Sequence, residues 1–300
     1  MRQLTVAVVS RNYFNLPLWI ARAAELFSAE GLDVTIDHIE GIEEVAARLR
    51  DGRAQLAYGV TEHVILDAES GGQTAIIGGN VNKLPFSLIA RAGIEGLEGL
   101  RGKRIGVSSL RAGSSSLIMK LLAARGLHPS ADYELVPCGP ILARWDLLRR
   151  GEIDAGLQGA PLNRIAIEQG FVSLCEPRDE VPHFQFTSLD VHQGWAARNR
   201  DTLLPFLRAF LRAHERFYTD RAEANAVAVA ETGIEPRHAD MAWEEYTREA
   251  IFPRDGEASA AGVRALIETS AMIRELPSRA RTQAEDYIDR SWLAEARATL

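Results

Sequence analysis

Arg104-Ile105-Gly106-Val107-Ser108-Ser109-Leu110-Arg111-Ala112-Gly113-Ser114-Ser115-Ser116 is where the fold becomes readable. A strand-forming run enters a Gly/Ser turn. The turn opens a helix whose apolar spacing continues from Ser114 to Arg125, where Gly126 ends it. A strand that feeds a helix through a short turn is half of a β-α-β unit. The helix start leaves N–H groups without partners and a partial positive charge, and the serine hydroxyls add donors. That combination suits a carboxylate, sulfonate or phosphate. The same serines would also serve as ordinary N-caps. No Gly-Lys-Ser/Thr follows and the G-x-G-x-x-G pattern is absent, so a nucleotide is not indicated.

The alternation continues on both sides. Leu4 to Val9 is an apolar, β-branched run, and Leu18 to Ala29 has helical spacing that Gly31 stops. Val34 to Ile39, Gln55 to Val60 and Thr74 to Gly78 read as strands, with helices over Val45 to Arg50 and His63 to Glu69. Beyond the Ser-rich turn, Tyr133 to Val136, Ile153 to Leu157 and Phe171 to Leu174 read as strands separated by helices. Phe184 to Ala197 is strand-like, as a return crossing would be. After Asn199 the pattern is helical: Thr202 to Tyr218, Ala222 to Glu231, Pro236 to Ala250, Ala260 to Glu275 and Trp292 to Thr299. Pro236, Pro253 and Pro277 separate several of these. This predicts an α/β chain in two lobes, each a mainly parallel sheet flanked by helices, with a helical C-terminal segment. Gly93, Gly96, Gly99 and Gly102 mark a linker. The expected division is residues 1–91 plus 190–300 for one lobe and 92–189 for the other.

Three hundred residues that are 46% hydrophobic suffice for two cores. The net charge is -7, and residues 92–188 balance 11 basic against 11 acidic side chains, so the acidic excess lies outside the second lobe. Without a basic excess, neither nucleic acid nor a membrane surface is an expected partner. No run of 18 apolar residues occurs, so membrane insertion is not expected either. Cys138 and Cys175 allow one bridge at most, which spacing alone does not establish. No C-x-x-C or H-E-x-x-H pair is present, so neither a metal nor a cofactor is expected. Met1 to Val9 reads as a short buried strand rather than an export signal. The expected location is cytoplasmic, or periplasmic if a leader has been removed.

Open α/β sheets bind ligands beyond the carboxyl ends of their strands. Here those ends are Ser10-Arg11-Asn12, Gly59-Val60-Thr61, Gly79-Asn80, Ser108 to Ser116, Cys138-Gly139 and Gln158-Gly159-Ala160. Arg11 has the fork for bidentate pairing with an anion. His63 follows a strand end and has the chemistry of a ligand contact or base, although an exposed or locally bonded helix histidine is the commoner case. Cys138 follows the strand Tyr133 to Val136. As a nucleophile it would need a lowered pKa and a base; otherwise it is a small apolar residue. His183-Phe184-Gln185-Phe186 would line a cleft at the return crossing, or form a buried strand.

Leu16-Pro17-Leu18-Trp19-Ile20-Ala21, with Phe27-Ser28-Ala29-Glu30-Gly31-Leu32-Asp33-Val34, resembles the opening of the NMT1/SsuA-like substrate-binding proteins. Leu97 to Val107 resembles the family's second-lobe start, Gly151-Glu152-Ile153-Asp154-Ala155 its G-x-I-D-A strand, and Asn199 to Tyr218 its long helix. The resemblance implies a type II periplasmic-binding-protein fold with a hinged cleft. It also implies a monomer that delivers a small anionic or polar molecule to an ABC permease: a sulfonate, a carboxylate or a thiamine precursor. The ligand-binding positions it carries over are Arg11, Asn12, Thr61, Asn80, Ser114, Ser115, Ser116 and Gln158. Glu62-His63 departs from the family, where small residues are common. The resemblance also extends to cytosolic enzymes on the same fold, the aromatic desulfinase and thiamine-pyrimidine synthase groups, which makes a desulfinase-, decarboxylase- or hydrolase-like enzyme the alternative expectation. If this chain is one, Cys138 and His63 are the candidate catalytic groups, acting on a small aromatic or sulfur-containing acid.

Overall fold

The computed structural model describes residues 1–273 and 284–300. Strand β1 (Arg2–Val9) must be covered on both faces, because its side chains on both are apolar. Leu4, Val6 and Val8 enter the main core. Ala7 enters a smaller one with Ile39, Val45, Leu49, Ala54 and Ala57, roofed by α3 (Ile42–Arg50). β1 pairs in parallel with β2 (Leu32–Ile39) and β3 (Leu56–Val60). β10 (Thr187–His192) then lies antiparallel between β3 and β4 (Thr74–Val81), giving the order β2-β1-β3-β10-β4. The second sheet repeats the plan. β6 (Arg104–Val107) pairs in parallel with β7 (Glu134–Pro137) and β8 (Ala155–Gly159). β5 (Phe86–Ala90) lies antiparallel between β8 and β9 (Val172–Cys175). Each sheet is therefore mainly parallel with one reversed strand.

The crossings differ in place from the sequence expectation. β5 falls within the range expected for the first lobe but pairs in the second sheet. β10 straddles the expected return boundary and pairs wholly in the first. The glycine linker follows β5 and drew the boundary too late; the crossing itself runs through residues 82–85, which carry no glycine. Two expected elements also divide. The helix over Leu18 to Ala29 breaks at Glu25, in the left-handed region at φ 57°, into α1 (Leu16–Ala23) and α2 (Leu26–Ala29). The break lets Phe27 stack on Phe206 of α10 (Arg200–Thr219) at 5.4 Å. The strand over Phe184 to Ala197 ends at His192, and α9 (Gln193–Arg198) follows.

The remaining helices cover sheet faces. α4 (Thr61–Glu69) lies in the first lobe, and α5 (Gly113–Ala123), α6 (Ile141–Arg150), α7 (Leu162–Glu168) and α8 (Pro177–Glu180) in the second. α10 buries Leu203, Phe206, Leu207, Phe210 and Phe217, an i, i+3, i+4 stripe, against the first lobe. It is followed by α11 (Arg221–Thr232), α12 (Pro236–Arg248), α13 (Ala260–Ser270) and α14 (Ser291–Arg297). The expected helix to Glu275 is seen as far as Ser270; residues 274 and 275, and Pro277, lie outside the described residues. Among the described residues no helix is long and apolar enough to cross a membrane. Cys138 and Cys175 are both unbridged.

One packing detail positions the site. Gly106 of β6 and Gly156 of β8 are register partners, and the stem of Arg144 from α6 lies over both. A Cβ on Gly156 would sit 3.0 Å from Arg144 Cδ. One on Gly106 would sit 3.1 Å from Arg144 Cγ and 2.4 Å from Ile153 Cδ1. The two glycines leave a groove in the sheet surface, the usual reason for glycine inside a strand. Gly106→Val should therefore overpack this groove and lower stability by about 2 kcal/mol. Urea unfolding reads this directly, and an unchanged midpoint would show the groove is not needed.

Candidate functional site

The carboxyl ends of the parallel strands in both sheets face one cleft of about 710 Å³. Val9, Ser10, Asn12, Val60 and Asn80 line it from the first sheet. Ser108, Gly113, Ser114, Pro140 and Arg144 line it from the second. Phe14, Phe86 and Phe186 form an apolar wall, packed edge to face with centroids 5.0–6.0 Å apart. Ser10 turns the chain at the cleft rim in the left-handed region, at φ 42°. It is fixed there by its own N–H on Ile39 O and by Asn15 Nδ2 on its carbonyl. A second cavity of about 520 Å³ shares Asn12, Phe14 and Ile141 with the first and continues past Leu142, Leu162 and Ile234.

Among the described residues Arg144 is the charged side chain that lines the cleft, and sequence reading missed it. It is 2% exposed. Nε donates to Leu157 O at 2.8 Å, and Nη1 donates to Ser108 Oγ at 3.1 Å. No carboxylate among the described residues pairs with it. Burial lowers its pKa to about 10, so it remains a cation at neutral pH. A sequence signal existed. Ile141, Arg144, Trp145 and Leu148 make the i, i+3, i+4, i+7 inner face of α6, and an arginine on an apolar stripe is an exception worth explaining. The starts of both α5 and α6 open toward the same cleft, adding partial positive charge near the guanidinium.

The serine run contributes less than its sequence suggested. Ser114 lines the cleft, and its Oγ accepts from Ser108 N at 2.9 Å. Ser115 Oγ donates to Ser109 O and Ser116 Oγ to Gly113 O; both side chains are buried and neither lines the cleft. The Gly113 N–H, the foremost donor of α5, is taken by Glu62 Oε2 at 2.8 Å; the other oxygen of Glu62 accepts from Ser270 Oγ. Glu62 thus ties the first lobe to the helix start of the second.

Of the other sequence candidates, Asn12 and Asn80 line the cleft. The Asn12 amide is committed locally, donating to Val9 O and Ser10 Oγ and accepting from Phe14 N. Arg11 points elsewhere. It pairs with Glu231 of α11, lies over Trp19 at 6.0 Å and borders the second cavity rather than the cleft. Thr61 is buried and donates to Ser188 Oγ at 3.1 Å. Gln158 is buried without lining the cleft, and its amide finds no partner among the described residues. His63 lies under α3 on a separate cavity of about 300 Å³, with a pKa lowered chiefly by burial. Cys138 Sγ donates to Val136 O at 3.1 Å, and burial pushes its thiol up despite Arg144 nearby. The structure does not bring Cys138 and His63 together, and neither lines the main cleft.

Two mainly parallel sheets with their strand ends on a shared cleft are the periplasmic-binding-protein fold. The chain belongs to the NMT1/THI5-like family, whose model matches residues 13–224. The 4-amino-5-hydroxymethyl-2-methylpyrimidine phosphate synthase of Schizosaccharomyces pombe is 25% identical over 214 residues, covering 65% of this chain and 60% of that one. The chain spans 60–65% of the length of the curated relatives it matches. The alkanesulfonate-binding protein SsuA from Xanthomonas axonopodis pv. citri, bound to MOPS, has a TM-score of 0.76 at 17% identity, over 97% of this chain and 99% of that one. The periplasmic nitrate-binding protein NrtA from Synechocystis PCC 6803 has a TM-score of 0.81 at 11% identity, over 100% and 89%. Likeness at these identities shows the fold, and both of these neighbours are solute-binding proteins.

Behind the cleft, Tyr58 reaches His214 of α10. His214 Nδ1 donates to Pro253 O at 2.7 Å, which leaves Nε2 to accept from the Tyr58 hydroxyl at 3.4 Å. Burial lowers the His214 pKa to about 4. Between pH 6.5 and 4 the unfolded chain then binds a proton here that the folded one does not. This contribution to stability is full above pH 6.5 and is lost as pH falls to 4, by about 3 kcal/mol. Buried Asp190, with its pKa raised by desolvation, acts in the opposite sense. The test is therefore a difference: His214→Phe should flatten the fall in stability from pH 6.5 to 4 relative to wild type, measured by denaturant unfolding.

Proposed function

We propose that the chain is a solute-binding protein that takes a small organic anion into the interlobe cleft, with Arg144 as its anchor, for delivery to an ABC importer. The observation that carries this is a buried guanidinium on the cleft wall with no carboxylate partner among the described residues. A buried charge is costly without an opposite charge, and a ligand carboxylate or sulfonate would supply it. The nearby helix starts and Ser114 would add donors to the same oxygens. The phenylalanine wall fits an apolar or aromatic body beside that group. Residues of both sheets line the cleft, so a ligand touching both would favour the closed arrangement of the lobes. The likeness to sulfonate- and nitrate-binding proteins supports the binding role.

The synthase match supports a second reading, an enzyme in the same cleft acting on a small aromatic or sulfur-containing acid. The raised Cys138 thiol and the distance of His63 from the cleft weigh against the nucleophile and base that reading first offered.

A calorimetric screen of sulfonates and carboxylates against the full chain, with each ligand recovered afterwards, separates the two. The binding reading expects saturable binding with the ligand recovered unchanged. Arg144→Leu should then weaken affinity by about 100-fold, the worth of two charge-assisted hydrogen bonds. Undiminished binding by that variant would remove Arg144 as the anchor. Consumption of the ligand would establish the enzyme reading.

A further inference from the structure

The polar groups around the cleft differ in one respect that the anion anchor does not explain. Asn12, Asn15 and Thr61, at the strand ends of the first sheet, all spend their side chains on protein partners. Asn80 and Thr187 do not. Both line the cleft and are 1% and 5% exposed. Asn80 Nδ2, Asn80 Oδ1 and Thr187 Oγ1 make no hydrogen bond among the described residues. They are neighbours by construction of the sheet. Thr187 opposes Val81 and Ser188 opposes Gly79, so the register shift leaves Asn80 as the extra residue of a bulge beside Thr187. Bulges re-aim side chains, and they concentrate next to binding sites. A buried amide and hydroxyl left unbonded destabilise the fold, and such groups need a reason.

We propose that Asn80 and Thr187 form a second, neutral recognition subsite on the first sheet, which takes the donor–acceptor edge of an amide carried by the ligand. The subsite rests on the anion reading only for the ligand's other end, which Arg144 holds on the second sheet. Among the described residues no charged side chain pairs with Asn80 or Thr187, so the subsite offers only neutral donors and acceptors and suits an uncharged group. An amide offers one donor and one acceptor edge, and it is best met by another amide, either a carboxamide or a ring N–H beside a carbonyl. The wall of Phe14, Phe86 and Phe186 favours a flat ring in the same cleft. The ligand class is a planar aromatic monoanion that bears an amide away from its acidic group.

The test compares 3- and 4-carbamoylbenzoate with the corresponding methylbenzoates by titration calorimetry on the full chain. Wild type should prefer the better carbamoyl isomer over its methyl counterpart by about tenfold. Asn80→Leu should close that ratio to within about twofold, and Thr187→Val should reduce it. Removing an orphaned amide should also raise the Tm of ligand-free Asn80→Leu by about 2 °C. A wild-type preference for the methyl compounds, a ratio unchanged in both variants, or a lowered Tm in Asn80→Leu would overturn the subsite. Arg144→Leu separates the two readings, because it should weaken all four acids alike while leaving their ratios in place. Failure of every acid to bind wild type would overturn the anion reading, and the subsite with it.

Discussion

A guanidinium inside a protein must be solvated by something other than water, and the second sheet is arranged around that demand at Arg144. Two glycines clear a path for its stem, one backbone carbonyl and one serine hydroxyl take two of its N–H groups, and the rest of the charge faces the cleft. The α5 and α6 helix starts supply only partial charges, and part of the α5 start is already spent on Glu62. The full charge is therefore the larger electrostatic feature of the cleft. An arginine forced into this position also explains why β6 and β8 carry glycine at register partners, where β-branched residues would pack better.

The lobes are joined by more than the two crossings. Glu62 bridges from α4 to the start of α5. Glu245 of α12 is held between Arg178, at 2.9 Å, and Arg164, at 3.1 Å, both from the second lobe. Glu245 is almost fully buried, so this contact depends on having both guanidiniums present. The C-terminal helices thus pack on the first lobe and also reach the second.

Much of the architecture was legible because apolar period and glycine punctuation are local signals. β1, β3, α5 and α10 are where their patterns put them. β5 was missed because Phe86-Ser87-Leu88-Ile89-Ala90 follows β4 with no glycine between them, so nothing local marks a change of sheet. The site was harder. Strand-end reasoning reached Asn80 and Ser114, since position beyond a strand is a property of sequence order. It also gathered Arg11, Ser115 and Ser116, whose side chains turn to Glu231 or to nearby carbonyls. Which way a side chain turns is decided by partners distant in sequence. Arg144 lies in the first turn of α6 rather than at a strand end, and only its place on an apolar stripe gave it away.

The reversed strand in each sheet bears on the order in which the molecule can be made. β10 lies in the interior of the first sheet, between β3 and β4, yet it is the last strand among the described residues. Until residue 192 has left the ribosome, β3 and β4 have no strand between them and the first lobe stays open down its middle. The second sheet needs nothing beyond residue 175. The lobe that begins later in the chain is therefore the first whose sheet can close, and the N-terminal half waits for a strand that arrives after its neighbour is complete.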